Sequence, residues 1–536
     1  MIPGLGRGRH VWLVGMPGSG KSAAGRALAG RLGLAFVDLD EEIERAAGRT
    51  VAEIFEEQGE AAFRRSETAA LCAVADGPAA VVPTGGGAVI AEENRRAMRR
   101  TGLVLHLEVD AVEARARLAA DPTPRPLLAE EGSWDRLAAD RRPMYGQVAD
   151  VTVAAGAAPE AVAAGLAELV AGDPPVVSVP VAAAGRSSPV HVGAGILSRL
   201  RLFVPEAPAG GTAFVVADQP VAGRFLEPVS RALEDAGWLP VHLPVPEGEP
   251  AKTLAVAEAL YRQLAVREAQ REDLVAAVGG GSTGDLAGFV AATYLRGMPV
   301  VQVPTTLLAQ VDAAIGGKTA VNLPAGKNLV GAFHQPVAVV ADVDTLSTLP
   351  EREFRSGLGE VAKYALAFDP GLVDALLATT GPPSAGDRDA VEVMYRMVRR
   401  CVEIKAEIVS RDERDAADRL FLNYGHTVGH ALERLEGFRG RSHGEAVAVG
   451  MVVAARLAER LGVAKPGLAD RHVHLLKPLG LPTGGPIPAP AEILAAMRMD
   501  KKRRGALRFV LLEDVGRPVV VGDVSDEAIT EALEAM

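Results

Sequence analysis

The chain has 536 residues, 48% apolar, 23% charged and 4% aromatic, a globular composition that excludes intrinsic disorder and suggests three or four domains at roughly 150 residues each. With 57 Lys and Arg against 68 Asp and Glu, the net charge is −11, which argues against a general nucleic-acid binder. Cys72 and Cys401 are the two cysteines, so a disulfide framework and a cysteine-rich metal site are excluded and a reducing cytoplasm is expected.

Arg7, Arg9 and His10 precede Val11–Val14 as in a secretory leader. The apolar stretch is too short for one and a glycine loop follows, so it reads as a buried first strand. No later run is long and apolar enough for a membrane span, and no membrane partner is expected. Apolar runs at Val11–Val14, Ala35–Val37, Ala80–Val82 and Leu103–Leu107 alternate with helical stretches, the pattern of a parallel sheet. Pro122, Pro124 and Pro126 interrupt any helix near 120 and suggest a mobile flap. Gly172–Pro175 reads as a linker. Strands near Thr212–Ala217, Leu274–Val278, Val300–Val303 and Val337–Val340 then predict a second α/β unit. From about 350, helix-period segments dominate, at Phe354–Phe368, Val391–Ile408, Asn423–Leu435 and Gly444–Leu461. The boundaries expected are 1–172, 176–349 and 350–536.

Gly15-Met16-Pro17-Gly18-Ser19-Gly20-Lys21-Ser22 fits G-x-x-x-x-G-K-[ST] between a strand and a helix. Backbone N–H groups of such a loop, with Gly18, Ser19 and Gly20, cradle phosphates; Lys21 adds charge and the Ser22 hydroxyl can ligate Mg²⁺. Asp38 and Asp40 end the predicted second strand, where alternation places both carboxylates on one face. Arg64, the Gly85–Gly87 run with Gly86 at its centre, Arg125 and Arg141 follow; arginines can clamp a substrate carboxylate. Taken singly, Arg64 and Arg141 read as solvated helix charges and the glycines as a turn. Together, GMPGSGKS, FVDLD, IFEEQGEAAFRRSE, PTGGGAV, PRPLL and RRPMY resemble shikimate kinase over nearly all of residues 10–170. The resemblance implies that Lys21 and Ser22 serve ATP and Mg²⁺, and that Asp38 holds a metal-bound water. It implies that Asp40, Arg64, Gly86 and Arg141 bind shikimate, with Asp40 activating its 3-hydroxyl and Arg125 closing over the transferring phosphoryl group. Gly146-Gln147 stand where the family often has a further arginine.

Val278–Asp285 (VGGGSTGD) lies between a strand and a helix and suits a pyrophosphate, although a plain tight turn fits as well. His426 and His430 are i, i+4 on one helix face, His443 follows nearby and Glu360 lies on the first long helix. Such N/O ligands from different helices suit a catalytic divalent metal; paired core or surface histidines are the alternative. His472 and His474 face apart on a helix and read as structural. Arg296, Lys318, Lys327, Lys363 and Arg419, with Asn322 and Asn328, suggest an anionic, phosphorylated substrate; any one alone reads as a solvated cation.

From about 176 onward, PEGEPAKT, GGGSTGDLAGFVAATYLRG, GLGEVAKYA, LNYGHTVGHALE, SHGEAVAVGM and DKKRRGALRFVLL resemble 3-dehydroquinate synthase. The resemblance implies Glu360, His426 and His443 as ligands of Zn²⁺ or Co²⁺. It implies NAD⁺ held by Glu249, Lys252, Gly281, Ser282, Thr283, Gly284, Asp285, Thr305, Thr306, Lys318, Lys327, Thr345, Leu346, Ser347 and Thr348. Substrate would meet Asp312, Arg296, Lys318, Lys327, Asn328, Lys363, Arg419, Asn423 and His430, with Asp312, Lys363 and His430 taking part in the chemistry. Arg296 would reach in from the partner of a homodimer, and Lys501 or Lys502 would close over the site. The implied reaction oxidises a secondary alcohol of a keto-sugar acid phosphate, expels phosphate, returns the hydride so that NAD⁺ is regenerated, and closes a carbocycle by an aldol step. Asp415 stands where the family usually has Glu. The expected fold class is therefore α/β, a P-loop kinase domain fused to a Rossmann-like nucleotide-binding domain and an all-helical metal-binding domain. A polyol dehydrogenase, a related sugar-phosphate cyclase and a non-catalytic scaffold are the competing readings; a plain dehydrogenase needs no phosphate pocket.

Overall fold

The computed structural model describes residues 10–120, 128, 132–171, 176–183, 186–379, 381–384, 386–413, 418–437, 440–504 and 508–536. Arg125, Asp415 and the side chains of Lys501 and Lys502 lie outside the described residues, as does the predicted flap at 122–126. The chain divides into two compact units, residues 1–180 with 189–212 and 228–240, and residues 181–188, 213–227 and 241–536. Among the described residues no helix is long and apolar enough to cross a membrane.

In the first unit β1 (His10–Val14), β2 (Ala35–Phe36), β3 (Ala80–Pro83), β4 (Gly102–Glu108) and β5 (Val151–Ala154) form a parallel sheet in the order β2-β3-β1-β4-β5. All five residues of β1 are buried, because a central parallel strand is covered on both faces. The chain leaves β1 at the point where strand order reverses, so the loop 15–20 opens into the crevice that such sheets present to ligands.

The remaining strands are β6 (Val177–Ala183), β7 (Arg186–Gly193), β8 (Thr212–Asp218), β9 (Leu239–Val245), β10 (Leu274–Gly279), β11 (Val300–Pro304), β12 (Lys318–Leu323), β13 (Gly326–Phe333), β14 (Ala338–Asp342), β15 (Arg508–Asp514) and β16 (Arg517–Gly522). Seven of them make one sheet, β6-β7-β14-β11-β10-β8-β9, whose β8, β10, β11 and β14 run parallel. Hairpin β12–β13 is antiparallel and packs on the helix Gly281–Thr293. The four strands expected in this region correspond to β8, β10, β11 and β14.

After 350 the helices include Glu351–Ala367, Arg388–Arg411, His426–Leu435 and His443–Arg460, accompanied by Val373–Leu377, Leu468–Leu476, Pro490–Arg504 and Asp526–Glu534. The helix expected from Asn423 starts at His426, because Gly425 adopts φ +79° and breaks the helical path after a 3₁₀ turn at Asp418–Asn423. The helical part also carries the antiparallel hairpin β15–β16, which the helix-period reading did not separate. Its strands alternate about the short Gly516 turn, a local signal overshadowed by the surrounding helices.

Candidate active sites

In the first unit the phosphate loop is shaped by what its glycines allow. A Cβ on Gly18, which has φ +85°, would stand 2.6 Å from the Ala114 carbonyl oxygen, so only glycine lets the loop close against the helix Ala111–Ala120. The loop ends at Lys21, the first residue of the helix Lys21–Leu32. Lys21 Nζ donates to the Gly15 and Met16 carbonyls at 2.9 and 3.0 Å, folded back over its own loop. The Trp134 indole N–H donates to the Pro17 carbonyl at 3.1 Å, a support for the loop that motif reading did not find.

Asp38 does not lie on a strand. β2 ends at Phe36, and Asp38 is the N-cap of the helix Leu39–Ala47, accepting from the Asp40 N–H at 3.1 Å. A capping carboxylate that satisfies an orphan helix donor outweighs two further residues of strand. The Ser22 hydroxyl donates to Asp38 Oδ2 at 2.7 Å, so the two residues expected at Mg²⁺ do meet, on a helix cap instead of a strand face. Asp40 follows two residues on, in the first turn of that helix. A Cβ on Gly85 would sit 2.9 Å from both Asp40 Oδ1 and Glu67 Oε1.

Glu67 closes the stretch IFEEQGEAAFRRSE, where nothing local distinguishes it from the other glutamates. It is buried on the helix Val51–Ala75, and it pairs with Arg64 Nη1 at 2.7 Å. Burial pushes its carboxyl up while Arg64 and Arg141 oppose the shift. Arg141, also buried, interacts with the Tyr145 hydroxyl, which itself donates to the Gly86 carbonyl at 2.6 Å. Asp40, Arg64, Glu67, Gly85–Gly87, Arg141 and Tyr145 thus converge beside the phosphate loop. Two arginines held by acidic and phenolic neighbours are oriented to take a small carboxylate.

In the second unit the site exists because two helices cross in backbone contact. A Cβ on Gly444 would lie 1.9 Å from the Ser356 carbonyl oxygen, and one on Gly359 would lie 2.5 Å from the Gly444 carbonyl. The crossing sets Glu360 beside His443, each adjacent in sequence to its glycine. His443 Nε2 is 3.1 Å and His426 Nε2 3.4 Å from the same Glu360 Oε1. The other nitrogen of each ring is engaged outward: His426 Nδ1 with the Tyr424 carbonyl at 3.1 Å, His443 Nδ1 with Glu433 Oε2 at 3.1 Å.

The ligand atoms of Glu360, His426 and His443 all lie within 4.8 Å of one another. Outer partners on both Nδ1 atoms turn both Nε2 atoms toward one carboxylate, an arrangement of two imidazoles and a carboxylate that fits a divalent cation once the Nε2 proton of His443 is lost. His430 is exposed, with its ring 5.2 Å from that of His426, and it forms a second candidate group with Glu433 and His443. The carboxylates hold His443 up at about 10 although burial opposes this. Against its own burial, Glu433 is held down to about 2 by His443, His430 and Lys327.

Lys363, 1% exposed, pairs with Glu360 and lies 4.0 Å from Asp312. Asp312 sits in a single π-helical turn, Ala309–Ala313, a local irregularity that aims its side chain inward. It accepts from Lys405 at 2.7 Å and from Tyr364 at 3.2 Å. Burial is outweighed by Lys405 and Lys363, which hold Asp312 at about 2. Nothing in the local sequence marks Lys405 as a site residue. Burial lowers it to about 8, with Arg419 adding to the fall and Asp312 opposing it. Its signal, a lysine on the apolar face of the helix Arg388–Arg411, is legible only once that face is known to be buried.

The predicted nucleotide contacts also gather. Lys252 Nζ reaches Asp285 Oδ2 and Asn328 Oδ1, both at 2.6 Å. Glu249 accepts from Asn322 at 2.7 Å and from Ser282 at 3.3 Å, and lies 3.7 Å from Lys327, which is equally close to Glu433. Thr306 packs beside Gly280 in the turn after β10. Thr345 and Leu346 are buried in a 3₁₀ turn whose hydroxyls bond inward, Thr345 to Asp342 O, Ser347 to Asp344 O and Thr348 to Thr345 O. Arg419 is buried, donates to the Glu413 carbonyl at 2.7 Å and packs on Gly316; Asn423 ends the 3₁₀ turn that carries it. Lys318 opens β12, and Arg296 is exposed.

Fold and sites define the class: a P-loop kinase joined to an α/β enzyme whose helices gather a histidine–carboxylate cluster. A family model for shikimate kinase matches residues 17–171, and models for the N-terminal and C-terminal parts of 3-dehydroquinate synthase match 242–356 and 357–503. The 3-dehydroquinate synthase of Symbiobacterium thermophilum is 47% identical over 352 residues, which are 65% of this chain and 97% of that protein. A solved 2-deoxy-scyllo-inosose synthase, complexed with carbaglucose-6-phosphate, NAD⁺ and Co²⁺, is 29% identical with a TM-score of 0.60, covering 67% of this chain and 99% of its own. The 2-epi-5-epi-valiolone synthase of Streptomyces hygroscopicus, with NAD⁺ and Zn²⁺ bound, is 27% identical with a TM-score of 0.57, covering 65% and 96%. The chain belongs to the 3-dehydroquinate synthase family and carries a shikimate kinase domain ahead of it. It is a bifunctional enzyme of the shikimate pathway, acting on small molecules.

Proposed function

We propose that residues 1–172 phosphorylate the 3-hydroxyl of shikimate from ATP·Mg²⁺, and that 176–349 and 350–536 together convert 3-deoxy-arabino-heptulosonate 7-phosphate to 3-dehydroquinate and phosphate. In the kinase, Lys21 and the loop amides hold ATP, Ser22 and Asp38 hold Mg²⁺, and Arg64 and Arg141 bind the shikimate carboxylate. Asp40 accepts the proton of the attacking hydroxyl, and Arg125 neutralises charge on the phosphoryl group in flight.

In the synthase, Glu360, His426 and His443 would hold Zn²⁺ or Co²⁺, which polarises a substrate oxygen when bound. Glu249, Lys252, Gly281–Asp285, Thr305, Thr306, Lys318, Lys327 and Thr345–Thr348 would hold NAD⁺, which would supply a reversible hydride acceptor. Lys363, Lys405 and Arg419 place cations around an anionic substrate, Asp312 orients both lysines, and Lys318, Asn328 and Arg296 meet its phosphate. The single observation that carries this reading is the convergence of both Nε2 atoms on Glu360 with both Nδ1 atoms engaged outward.

A homodimer through the synthase part, in a cytoplasmic setting, completes the reading. Leu295 and Arg296 are exposed and hold positive φ at 48° and 66°, strained backbone that a functional contact would justify. Phe333, which is 48% exposed, precedes His334, and His334 bonds the Met298 carbonyl just beyond Arg296. Leu295 and Phe333 are exposed apolar side chains, and the exposed cation Arg296 follows Leu295 in sequence.

The test is phosphate release from 3-deoxy-arabino-heptulosonate 7-phosphate with NAD⁺, before and after chelation and zinc return. Metal-dependent release, dehydroquinate as product and no net NADH are expected. No release from the folded, zinc-loaded protein would transfer the reading to a related sugar-phosphate cyclase.

A further inference from the structure

His472 reads from the sequence as structural, yet it ends a buried chain of contacts that leads to His426. Its Nδ1 lies 2.8 Å from the Leu468 carbonyl, one turn back on the helix Leu468–Leu476. A carbonyl only accepts, so Nδ1 carries the proton and Nε2 is left as an acceptor. The Tyr424 hydroxyl lies 2.7 Å from that Nε2 and 3.4 Å from the Met451 carbonyl, and it donates across the shorter contact. Tyr424 and His472 are both fully buried, so neither group has water as an alternative partner.

The backbone of Tyr424 carries the contact onward, because its carbonyl accepts from His426 Nδ1 at 3.1 Å. The segment is wedged at its next residue as well. A Cβ on Gly425 would meet the Met451 side chain at 2.6 Å and the Val447 carbonyl at 2.8 Å. The peptide that presents the 424 carbonyl is thus fixed on one side by Gly425 against the helix His443–Arg460. On the other side it is fixed by the phenol–imidazole bond. Since His426 Nδ1 is held by that carbonyl, its Nε2 faces Glu360.

We propose that Tyr424 and His472 are positioning residues for the metal ligand His426, and that the Tyr424–His472 hydrogen bond sets how tightly this protein retains its divalent cation. The inference rests on the metal reading above. Outer contacts to a ligating histidine are worth about 10–100-fold in metal affinity, and this bond acts one step further out, so an effect near the lower end is expected.

The experiment measures zinc affinity of the full-length protein by competition with a chromophoric chelator, alongside thermal stability and kinase activity. Tyr424→Phe removes one oxygen and leaves the carbonyl in place. His472→Leu removes the acceptor, and His472→Gln returns one. About tenfold weaker zinc binding is expected in Tyr424→Phe and in His472→Leu, with at least partial recovery in His472→Gln. The double variant Tyr424→Phe/His472→Leu is expected to bind no more weakly than Tyr424→Phe, because Tyr424→Phe alone already loses the bond to His472 and the longer contact to the Met451 carbonyl. Unchanged zinc affinity in folded Tyr424→Phe would overturn the proposal, whatever happens to its melting temperature. His426→Ala serves as the control: if it retains zinc as well as the wild type, the metal reading fails first and the positioning role falls with it.

Discussion

The two sites are assembled in opposite ways. In the kinase unit the phosphate loop is a contiguous stretch, and Lys21 rests on carbonyls of its own loop. In the synthase unit the cluster joins helices far apart in sequence, and its charges are already paired. Glu360 meets His426, His443 and Lys363, while Asp312 meets Lys405. A loop needs only local geometry to cradle phosphate, because its donors are backbone N–H groups. A buried polyionic cluster needs every partner present, since a lone buried charge is costly. The synthase site should therefore tolerate loss of one member less well in stability, and the kinase site less well in rate alone.

The largest expected effect breaks the molecule into its two activities. Lys21→Ala is expected to lower kinase turnover by about 10³-fold or more while sparing the synthase. His443→Ala is expected to do the reverse, and zinc content read beside both assays checks it. Loss of both activities in either folded variant would show that the sites are not independent.

Glu433→Gln comes next. It leaves His443 in place but weakens its outward partner, and zinc affinity is expected to fall by about 10–100-fold in chelator titrations. The corresponding change in the kinase, Glu67→Gln, is expected to raise the KM for shikimate several-fold through Arg64, with a smaller change in the KM for ATP.

The smallest effect is in pH dependence. Lys405 is lowered to about 8 in the folded protein, against about 10.4 for a free lysine. Between those values the unfolded chain binds more protons, so Lys405 makes stability rise with pH across that window. Substrate affinity should move the other way, because the neutral amine no longer attracts an anion. Falling synthase kcat/KM above about pH 8, without loss of thermal stability, is the expected signature, and Lys405→Met should abolish the inflection. In the kinase unit, burial and the charges of Lys21 and Arg142 lower His106 to about 3. It therefore stays neutral near pH 7, and its contribution to stability is lost as pH falls below about 6.5.

Much of this molecule is legible without coordinates, for a physical reason. The phosphate loop, the glycine run after β3 and the turn after β10 are short segments whose function depends on their own backbone. The i, i+4 pair His426 and His430 likewise needs only helical periodicity. The sequence alone determined the α/β class, the P-loop and the order of the two enzymes, and it marked Glu360, His426 and His443 as candidates. Tertiary structure alone decided where carboxylates and cations find partners. It made Asp38 a helix cap, put Glu67 under Arg64, and brought Lys405 to Asp312 across 93 residues of sequence. It also brought Gly359 against Gly444, so that Glu360 and His443 share one point, and set His472 behind Tyr424. Such pairings depend on which faces are buried together, and burial decides whether a charge is solvated or must be answered by a neighbour.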